Sequence, residues 1–164
     1  MTEVIKTADL VDTNDDDVRF CEMQWKSFGK RSGFHGEIVT LKTFEDNRLL
    51  KQTLEGDGTG KVLVVDGGGS LRCALVGDVI AGLGLSNGWR GILINGAIRD
   101  SAELNDMDFC VMALGQAPKK SGKTGHGTRD VPLRLGNVLF RTGDYLYADS
   151  DGVLVADKPV HGTD

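Results

Sequence analysis

The sequence lacks a long apolar run and any segment that resembles an export signal. None of its hydrophobic stretches approaches the roughly 18 residues that a membrane-spanning helix needs. The N-terminal segment MTEVIKTADLVDTNDDD is polar and acidic, without the apolar centre of a secretory signal. We therefore expect a cytoplasmic protein that has no membrane partner.

Cysteine, histidine and proline each occur only three times among the 164 residues. Cys21, Cys73 and Cys110 are odd in number, far apart and without a C-x-x-C pair, which predicts reduced thiols in or near the core. The histidines are scattered and show no H-x-x-x-H spacing, which argues against a zinc site. Neither residue type indicates a catalytic thiol or a zinc centre.

Positive charge is in deficit, with 19 lysines and arginines against 24 aspartates and glutamates and a formal net charge of -5. Surfaces that bind nucleic acid are normally basic, because they must neutralise phosphates. We therefore expect no direct nucleic-acid ligand. Hydrophobic residues make up 40% of the chain, which is enough for the core of a single domain over residues 1–164.

The apolar pattern predicts an α/β chain that ends in a run of short strands. Alternating or continuous apolar residues predict strands at 36–44, 61–66, 91–94 and 108–114. A helix is expected at 45–55, one or two helical segments within 70–88, and a short helix or turn at 101–107. The glycines of 70–88 argue against one uninterrupted helix, and a loop is expected at 115–128. From Val131 onward, glycine and aspartate turns separate short strands, so an α/β layer adjoins a β-rich element.

Two glycine-rich stretches suggest nucleotide binding but fit it poorly. DGGGSLR at 66–72 has consecutive glycines instead of G-x-G-x-x-G, so it is either a tight turn or an anion-binding nest of backbone N–H groups. GKT at 122–124 resembles the end of a phosphate-binding loop, yet Ala117 stands where that loop requires its first glycine. We expect no ATP or GTP site.

A more specific pattern places Asp78 near the start of a predicted helix and Arg99-Asp100 after the strand GILI. Ligands of α/β sheets collect at the carboxyl ends of strands and at helix N-termini. Two carboxylates there could hold a hard divalent cation, and the arginine could hold a carboxylate and neutralise an enolate. From spacing alone, an exposed ion pair in a turn is the commoner explanation.

The stretch VLVVDGGGSLRCALVGDVIAGLGLSNGWRGILINGAIRD resembles the RraA-like family, which includes regulators of ribonuclease activity and class II 4-hydroxy-4-methyl-2-oxoglutarate aldolases. The tail GNVLFRTGDYLYADSDGVLVAD is similar to the same family, so the resemblance is strongest over residues 36–157. It implies a swivelling α/β fold, a β/β/α sandwich in a single domain. It also implies homotrimers or hexamers with sites near subunit boundaries.

The aldolase members carry an aspartate, twenty intervening residues and then Arg-Asp, and Asp78 with Arg99-Asp100 completes this motif. The resemblance implies that Asp100 binds Mg²⁺ or Mn²⁺ directly and that Asp78 holds a metal-bound water. It implies that Arg99 binds the pyruvyl group and stabilises its enolate. Substrate oxygens would be surrounded by the backbone N–H groups of Gly77, Asp78, Val79 and Ile80.

The implied reaction is retro-aldol cleavage of 4-hydroxy-4-methyl-2-oxoglutarate into two pyruvates, with oxaloacetate decarboxylation through the same enolate. No lysine needs to form a Schiff base, so Lys119, Lys120 and Lys123 are expected to form a solvated loop or an anion-attracting rim. Longer aldolase members carry a C-terminal extension that reaches a neighbouring subunit. Because this sequence ends at Asp164, we expect decarboxylation to be the more robust activity.

The same resemblance allows a non-catalytic regulator that binds and inhibits an endoribonuclease of the RNase E type. Such a regulator needs only a surface and gives no reason for Asp78 at its spacing from Arg99-Asp100, so the motif favours the enzyme. A third role, methyl transfer in menaquinone synthesis, is disfavoured because no G-x-G-x-x-G-like loop follows the first buried strand.

Overall fold

A large mixed sheet with short helices makes up the structure, a computed structural model that describes residues 4–162. Its elements in chain order are α1 Thr7–Asn14, β1 Val18–Phe20, β2 Lys26–Phe28, β3 Phe34–Lys42, α2 Arg48–Leu54, β4 Lys61–Asp66, β5 Ala74–Val76, α3 Asp78–Ser86, β6 Gly91–Ile98, α4 Ser101–Asn105, β7 Val111–Gln116, β8 Thr128–Arg129, β9 Leu133–Leu135, β10 Val138–Phe140, β11 Tyr145–Asp149 and β12 Gly152–Ala156. The domain expected over residues 1–164 extends beyond this range, because residues 1–3 and 163–164 lie outside it.

Four parallel strands form the centre of the sheet. β3 pairs with β4, β4 with β6, and β6 with β7, and α2, α3 and α4 connect them in turn. Antiparallel strands extend both sides, with β11, β12 and β1 beyond β3 and β2 beyond β7. Parallel strands joined through helices bring all their carboxyl ends to one edge, where the connections to α2, α3 and α4 lie.

Both faces of the parallel strands are buried, which explains why these strands are continuously apolar. On one face, residues such as Leu63 and Ile92 pack against the helices. On the other, their neighbours Val62 and Leu93 pack against the β9–β10 hairpin and against β11 and β12. The expected α/β fold with β/β/α layers is confirmed.

The segment 70–88, in which one or two helical segments were predicted, forms a short strand before its single helix. Its first part forms β5, which pairs with the end of β6, and only Asp78–Ser86 forms a helix. Ala74, Leu75 and Val76 are all buried, and the pairing with β6 competes successfully with helix formation. The change matters because β5 brings the chain to Gly77 beside the end of β6.

The strand that begins as GILI is longer than predicted. It continues through Asn95 and Gly96 to Ile98, with a register shift between Ile94 and Ala97, whereas the predicted strand ended at Ile94. Asn95 donates a side-chain hydrogen bond to Asp66 on β4 at 3.0 Å, which holds this irregular part within the sheet.

The remaining differences between the predicted and observed elements are short strands that were not predicted and element ends that are shifted by a few residues. β1, β2 and β8 were not predicted, and β8 lies at the end of the expected loop 115–128. None of the helices between residues 4 and 162 is long and apolar enough to cross a membrane.

Candidate active site

The two halves of the predicted motif meet at the carboxyl edge of the parallel strands. β5 ends at Val76 and β6 ends at Ile98, and the backbone N–H of Arg99 donates to the carbonyl of Val76 at 2.9 Å. This hydrogen bond aligns the two chain segments just beyond their strands. Asp78 and Asp100 are therefore neighbours despite the residues between them.

Asp100 has a constrained backbone and an oriented carboxylate. It adopts the left-handed conformation, with φ 58° and ψ 43°, which aspartate tolerates better than most residues. Its Oδ2 atom accepts a hydrogen bond from the backbone N–H of Asp78 at 3.1 Å. No other residue within 4–162 donates to this carboxylate, so Oδ1 is available to a ligand.

Gly77 is required by the close approach of the two segments. A Cβ atom built at this position would lie 2.5 Å from Oδ2 of Asp100 and 3.4 Å from Cγ of Arg99. The backbone of Gly77 is extended, so the requirement is purely steric. Any larger residue must displace the Asp100 carboxylate or the Arg99 side chain.

The first turn of α3 adds backbone donors to the site. Asp78 begins this helix, and the next two N–H groups, of Val79 and Ile80, have no acceptor within the helix because of their position. The Val79 side chain is 70% exposed, whereas that of Ile80 is buried against the core. The positive end of the helix therefore faces the place where an anion would lie.

A cavity of about 170 Å³ brings the predicted residues together. Gly77, Asp78, Val79, Ile80, Arg99 and Asp100 all line it. Arg99 is half-buried, and its Nη1 atom makes one long hydrogen bond, 3.4 Å, to the carbonyl of Pro118. Most of its guanidinium group thus remains free to bind a ligand in the cavity.

The cavity also has lining residues that the motif did not identify: Asn47, Lys51, Lys120 and Lys123. The sequence contained a signal for them, because residues 117–127 follow β7 and residues 43–47 follow β3. Both connections leave the same edge of the sheet as the predicted motif. Lys120 and Lys123 of the 115–128 segment therefore form a wall of the site.

Asp46 fixes the lysine-containing segment over the site. Its buried carboxylate accepts hydrogen bonds from the Thr124 hydroxyl at 2.8 Å and from the backbone N–H groups of Thr124, Gly125 and Arg48. Burial opposes ionisation of Asp46, but these hydrogen bonds outweigh it and lower its pKa. Lys123 then donates to Oδ1 of Asn47 at 3.0 Å.

Both glycine-rich stretches have structural partners within the chain. The N–H groups of Gly67 and Gly69 donate to the Asn95 carbonyl, and that of Gly68 donates to Asp66. This stretch is a tight turn and not an open nest. In GKT, the N–H and hydroxyl of Thr124 are bound to Asp46, so the segment does not form a phosphate-binding loop.

The thiols are separate from the site and poorly suited to nucleophilic chemistry. Cys21, Cys73 and Cys110 are free and buried, as the sequence predicted. Burial raises the pKa of Cys21 and Cys110 to about 11 and also raises that of Cys73. All three therefore remain protonated near neutral pH.

A larger cavity, about 490 Å³, lies at the opposite edge of the sheet, where the parallel strands begin. Its charged lining consists of the Arg31–Asp108 ion pair and Arg90, which donates to the carbonyl of His35 at 3.3 Å. Among the residues 4–162 that line it, Asp108 is the single acidic residue, so it has no pair of carboxylates. The motif residues line the smaller cavity.

One family model matches most of the chain, and several solved structures are similar to it over most of its length. A family model described as RraA-like: Aldolase/RraA matches residues 7–155. A structure of S-adenosylmethionine: 2-dimethylmenaquinone methyltransferase from Geobacillus kaustophilus HTA426 is 48% identical, with a TM-score of 0.93, and the match covers 95% of this chain and 97% of the other.

Two further structures are described by their effect on RNA processing. The RNA-processing inhibitor RraA from Thermus thermophilis is 43% identical over 98% of each chain, with a TM-score of 0.93. RraAS2 from Streptomyces coelicolor, an unusual member of the RNase ES inhibitor RraA protein family, is 25% identical, with a TM-score of 0.72, over 91% of this chain and 77% of the other.

Proposed function

This chain belongs to the RraA-like family, and from that premise we propose that it is a divalent-metal-dependent class II pyruvate aldolase. Its substrate would be 4-hydroxy-4-methyl-2-oxoglutarate, which it would cleave to two pyruvates. It would also decarboxylate oxaloacetate. Both reactions break a carbon–carbon bond next to C3 of a 2-oxo acid and leave the electron pair on C3 as pyruvate enolate.

The observation that carries this proposal is the convergence of Asp78, Arg99 and Asp100 on one cavity. Twenty residues separate Asp78 from Arg99, yet the Asp100 carboxylate accepts a hydrogen bond from the Asp78 backbone. An exposed ion pair in a turn would explain neither this contact nor the glycine that permits it. No Arg99–Asp100 ion pair is formed within residues 4–162.

The two carboxylates suit Mg²⁺ or Mn²⁺. Within residues 4–162, no group of three or more histidine, cysteine, aspartate or glutamate side chains could hold a metal. Such a set would be needed for a structural zinc site, whereas Mg²⁺ uses one or two carboxylates and leaves positions for substrate. Asp100 would hold the cation directly, and Asp78 would lie beside it. The bound cation would supply a Lewis acid for the oxo group of the substrate.

The chain itself would bind the substrate and stabilise the charge that develops on it. The Arg99 guanidinium can bind the carboxylate next to the oxo group through two parallel hydrogen bonds. The same positive charge stabilises the enolate as the carbon–carbon bond breaks. The N–H groups of Val79 and Ile80 can donate to oxygens of the same anion. A water molecule held by Asp78 would supply the proton that C3 takes up and, in the retro-aldol cleavage, would accept the proton that the C4 hydroxyl loses.

Pyruvate release from oxaloacetate tests the proposal. The wild-type protein with Mg²⁺ should release pyruvate above the metal's own background rate, and EDTA should stop it. Arg99→Ala should lower kcat/KM by about 10²- to 10³-fold, the usual loss for one group that stabilises a developing oxyanion. Arg99→Lys should recover only part of this, because lysine cannot bind a carboxylate bidentately. Full activity of Arg99→Ala in a folded protein would contradict the assigned role.

A second candidate function is inhibition of an endoribonuclease of the RNase E type. It is favoured by the 43% identical relative, which is described as an RNA-processing inhibitor. An RNA-cleavage assay with purified RNase E would measure it directly. Asp100→Ala separates the two roles, because it should remove pyruvate release while a surface-mediated inhibition would persist.

Methyl transfer, the activity in the name of the 48% identical relative, has less support in this chain. The glycine turn after β4 is the natural place for a methyl-donor loop in an α/β fold. Its N–H groups at Gly67, Gly68 and Gly69 are already bound to Asn95 and Asp66.

A further inference from the structure

The cavity around Asp100 has an excess of positive charge. Lys51, Arg99, Lys120 and Lys123 line it, against the two carboxylates of Asp78 and Asp100. Within the described residues, none of the three lysines forms an ion pair with an aspartate or glutamate. Lysines that gather at a cavity without anionic partners are typical of a site that binds an anion.

The three lysines reach the cavity from two separate parts of the chain. Lys51 lies on α2, whereas Lys120 and Lys123 belong to the segment that Asp46 holds in place. The backbone at Lys120 forms a β-bridge with Ala74, the first residue of β5. The backbone at Lys120 and Lys123 is therefore placed by the fold, while the exposed side chains of both lysines extend from it beside the cavity.

We propose that Lys51, Lys120 and Lys123 form a second anion subsite, which selects 2-oxo acids that carry a second carboxylate at the far end. This assignment rests on the proposed function for the place of the first carboxylate, at Arg99. The helix N-terminus and Arg99 bind the oxo-acid end, and the lysines bind the other end. The chain's own lining residues leave an excess of two positive charges, which the proposed divalent cation would raise to four, and this excess favours a dianion over a monoanion.

The size of the cavity favours a short substrate. A volume of about 170 Å³ is below the roughly 300–1,000 Å³ of ordinary ligand pockets, so it suits an acid of a few carbons and not a nucleotide. Lysine ammonium groups are compact, flexible point charges, whereas arginine offers a rigid fork. The lysine wall can therefore accept distal carboxylates at slightly different distances, as in oxaloacetate and a substituted 2-oxoglutarate.

A matched pair of ligands tests this subsite by calorimetric titration with Mg²⁺ present. 2-Oxoglutarate and 2-oxopentanoate have the same five-carbon chain and differ in the distal carboxylate. The wild-type protein should bind 2-oxoglutarate more tightly. In Lys120→Gln, this preference should shrink by about tenfold, as expected for a charged hydrogen bond that is partly exposed to solvent. The affinity for 2-oxopentanoate should stay within about twofold of wild type, because its contacts are at Arg99.

Lys119→Gln is the matched control. Lys119 is an exposed neighbour in the same segment that does not line the cavity, and its backbone carbonyl accepts from Ala74 in either case. Lys51→Gln and Lys123→Gln should act in the same direction as Lys120→Gln. Lys120→Gln is the cleanest variant, since Lys123 also donates to Asn47.

The outcomes separate this inference from the proposed function. A ligand preference that is equal in wild type and Lys120→Gln, or an absence of binding in wild type, would overturn the subsite. If the preference depends on the lysines but oxaloacetate is not turned over, the aldolase proposal fails and a dicarboxylate-binding site remains. If turnover occurs, KM for oxaloacetate should rise in Lys120→Gln with little change in kcat.

Discussion

At the scale of single residues, Gly77 and Asp100 constrain each other. The Asp100 carboxylate occupies the space that a side chain at position 77 would fill. The same carboxylate is held by the backbone N–H of Asp78. The missing side chain at Gly77 thus leaves the space in which the Asp100 carboxylate is held.

Gly77→Ala should damage the site without unfolding the protein. A Cβ atom added at position 77 would lie only 2.5 Å from the present position of Oδ2 of Asp100. The Asp100 carboxylate must therefore move. We expect Mn²⁺ affinity and turnover to fall by about 10- to 100-fold, the usual cost of disturbing a group that orients a metal ligand. Titration of Mn²⁺ and pyruvate release would measure the two effects.

Gly82→Ala is the control for this substitution. A Cβ at Gly82 meets no other atom within 4 Å, and the residue lies within α3. Alanine there should stabilise the helix by about 0.5–1 kcal/mol and leave the site unchanged. Equal losses of metal affinity in both variants would show that the effect is not specific to position 77.

The sequence predicted the residues of the motif more completely than the rest of the cavity. Asp78, Arg99 and Asp100 were singled out because they complete a motif of the family that the sequence resembles, whereas their spacing alone favoured a surface ion pair or a turn. Lys51 and Lys120 have no such spacing, and only the parallel arrangement of β3, β6 and β7 brings them to the same edge. Residues that meet through tertiary structure alone leave little trace in a single sequence.

At the scale of structural elements, the connection after β7 is held by the connection after β3. Asp46 accepts hydrogen bonds from Thr124 and Gly125, and the backbone at Asp46 also forms a β-bridge with Gly122. The buried Asp46 carboxylate therefore holds in place the segment that carries Lys120 and Lys123.

Asp46→Asn should loosen this wall. The amide has one acceptor oxygen, so its NH₂ group must face at least one of the N–H donors now bound to the carboxylate. We expect the free energy of unfolding to fall by about 1–3 kcal/mol, as for a buried donor left without a partner. Amide hydrogen exchange should rise at residues 119–125 more than elsewhere.

Asp57→Asn provides the comparison. Asp57 is exposed and, within residues 4–162, accepts hydrogen bonds only from the nearby Thr59, so its loss should change stability by less than about 0.5 kcal/mol. If hydrogen exchange at 119–125 were the same in Asp46→Asn as in wild type, Asp46 would not be the residue that holds the segment.

The elements that the sequence missed are those that depend on distant partners. β1 pairs with β12 and β2 pairs with β7, each across more than eighty positions of the chain. Each has only three residues, too few for an alternating pattern. The long apolar strands β4 and β6 were predictable because burial on both faces makes them apolar throughout.

At the scale of the whole molecule, contacts of His35 and Tyr147 with His161 join the sheet to the C-terminal segment 157–162. Tyr147 accepts hydrogen bonds from the backbone N–H groups of Val160 and His161, so its own proton goes to Nδ1 of His161 at 2.6 Å. The rings of His35 and His161 are 4.9 Å apart, and Arg90 lies beside His35. A proton on either imidazole would be unfavourable here.

Stability should therefore decrease in mildly acidic solution. Burial, together with the charges of Arg90 and His161, lowers the pKa of His35 from 6.5 to about 4, and burial and Arg90 lower that of His161. The unfolded chain takes up these protons first, so the free energy of unfolding falls as the pH drops from about 6.5 towards 4. Urea unfolding at pH 7.5 and pH 5 would measure the loss.

His35→Gln tests the source of this pH dependence. Glutamine can still accept from Tyr145 but does not titrate, so the difference in stability between pH 7.5 and pH 5 should become smaller. An undiminished difference in His35→Gln and in His161→Gln would assign the effect to other groups.

The central claim is that Asp100 holds a divalent cation, and Mn²⁺ binding measured by electron paramagnetic resonance, with pyruvate present, tests it most directly. Asp100→Asn keeps the left-handed backbone and a side-chain acceptor but removes the charge, and Asp106→Asn, at an exposed position beyond α4, is the control. We predict a single tight Mn²⁺ site in wild type and in Asp106→Asn. In Asp100→Asn, the Mn²⁺ affinity should be more than about 100-fold weaker, because loss of a metal ligand costs more than loss of a group that orients the ligand. Equal Mn²⁺ affinity in the three proteins would contradict the account.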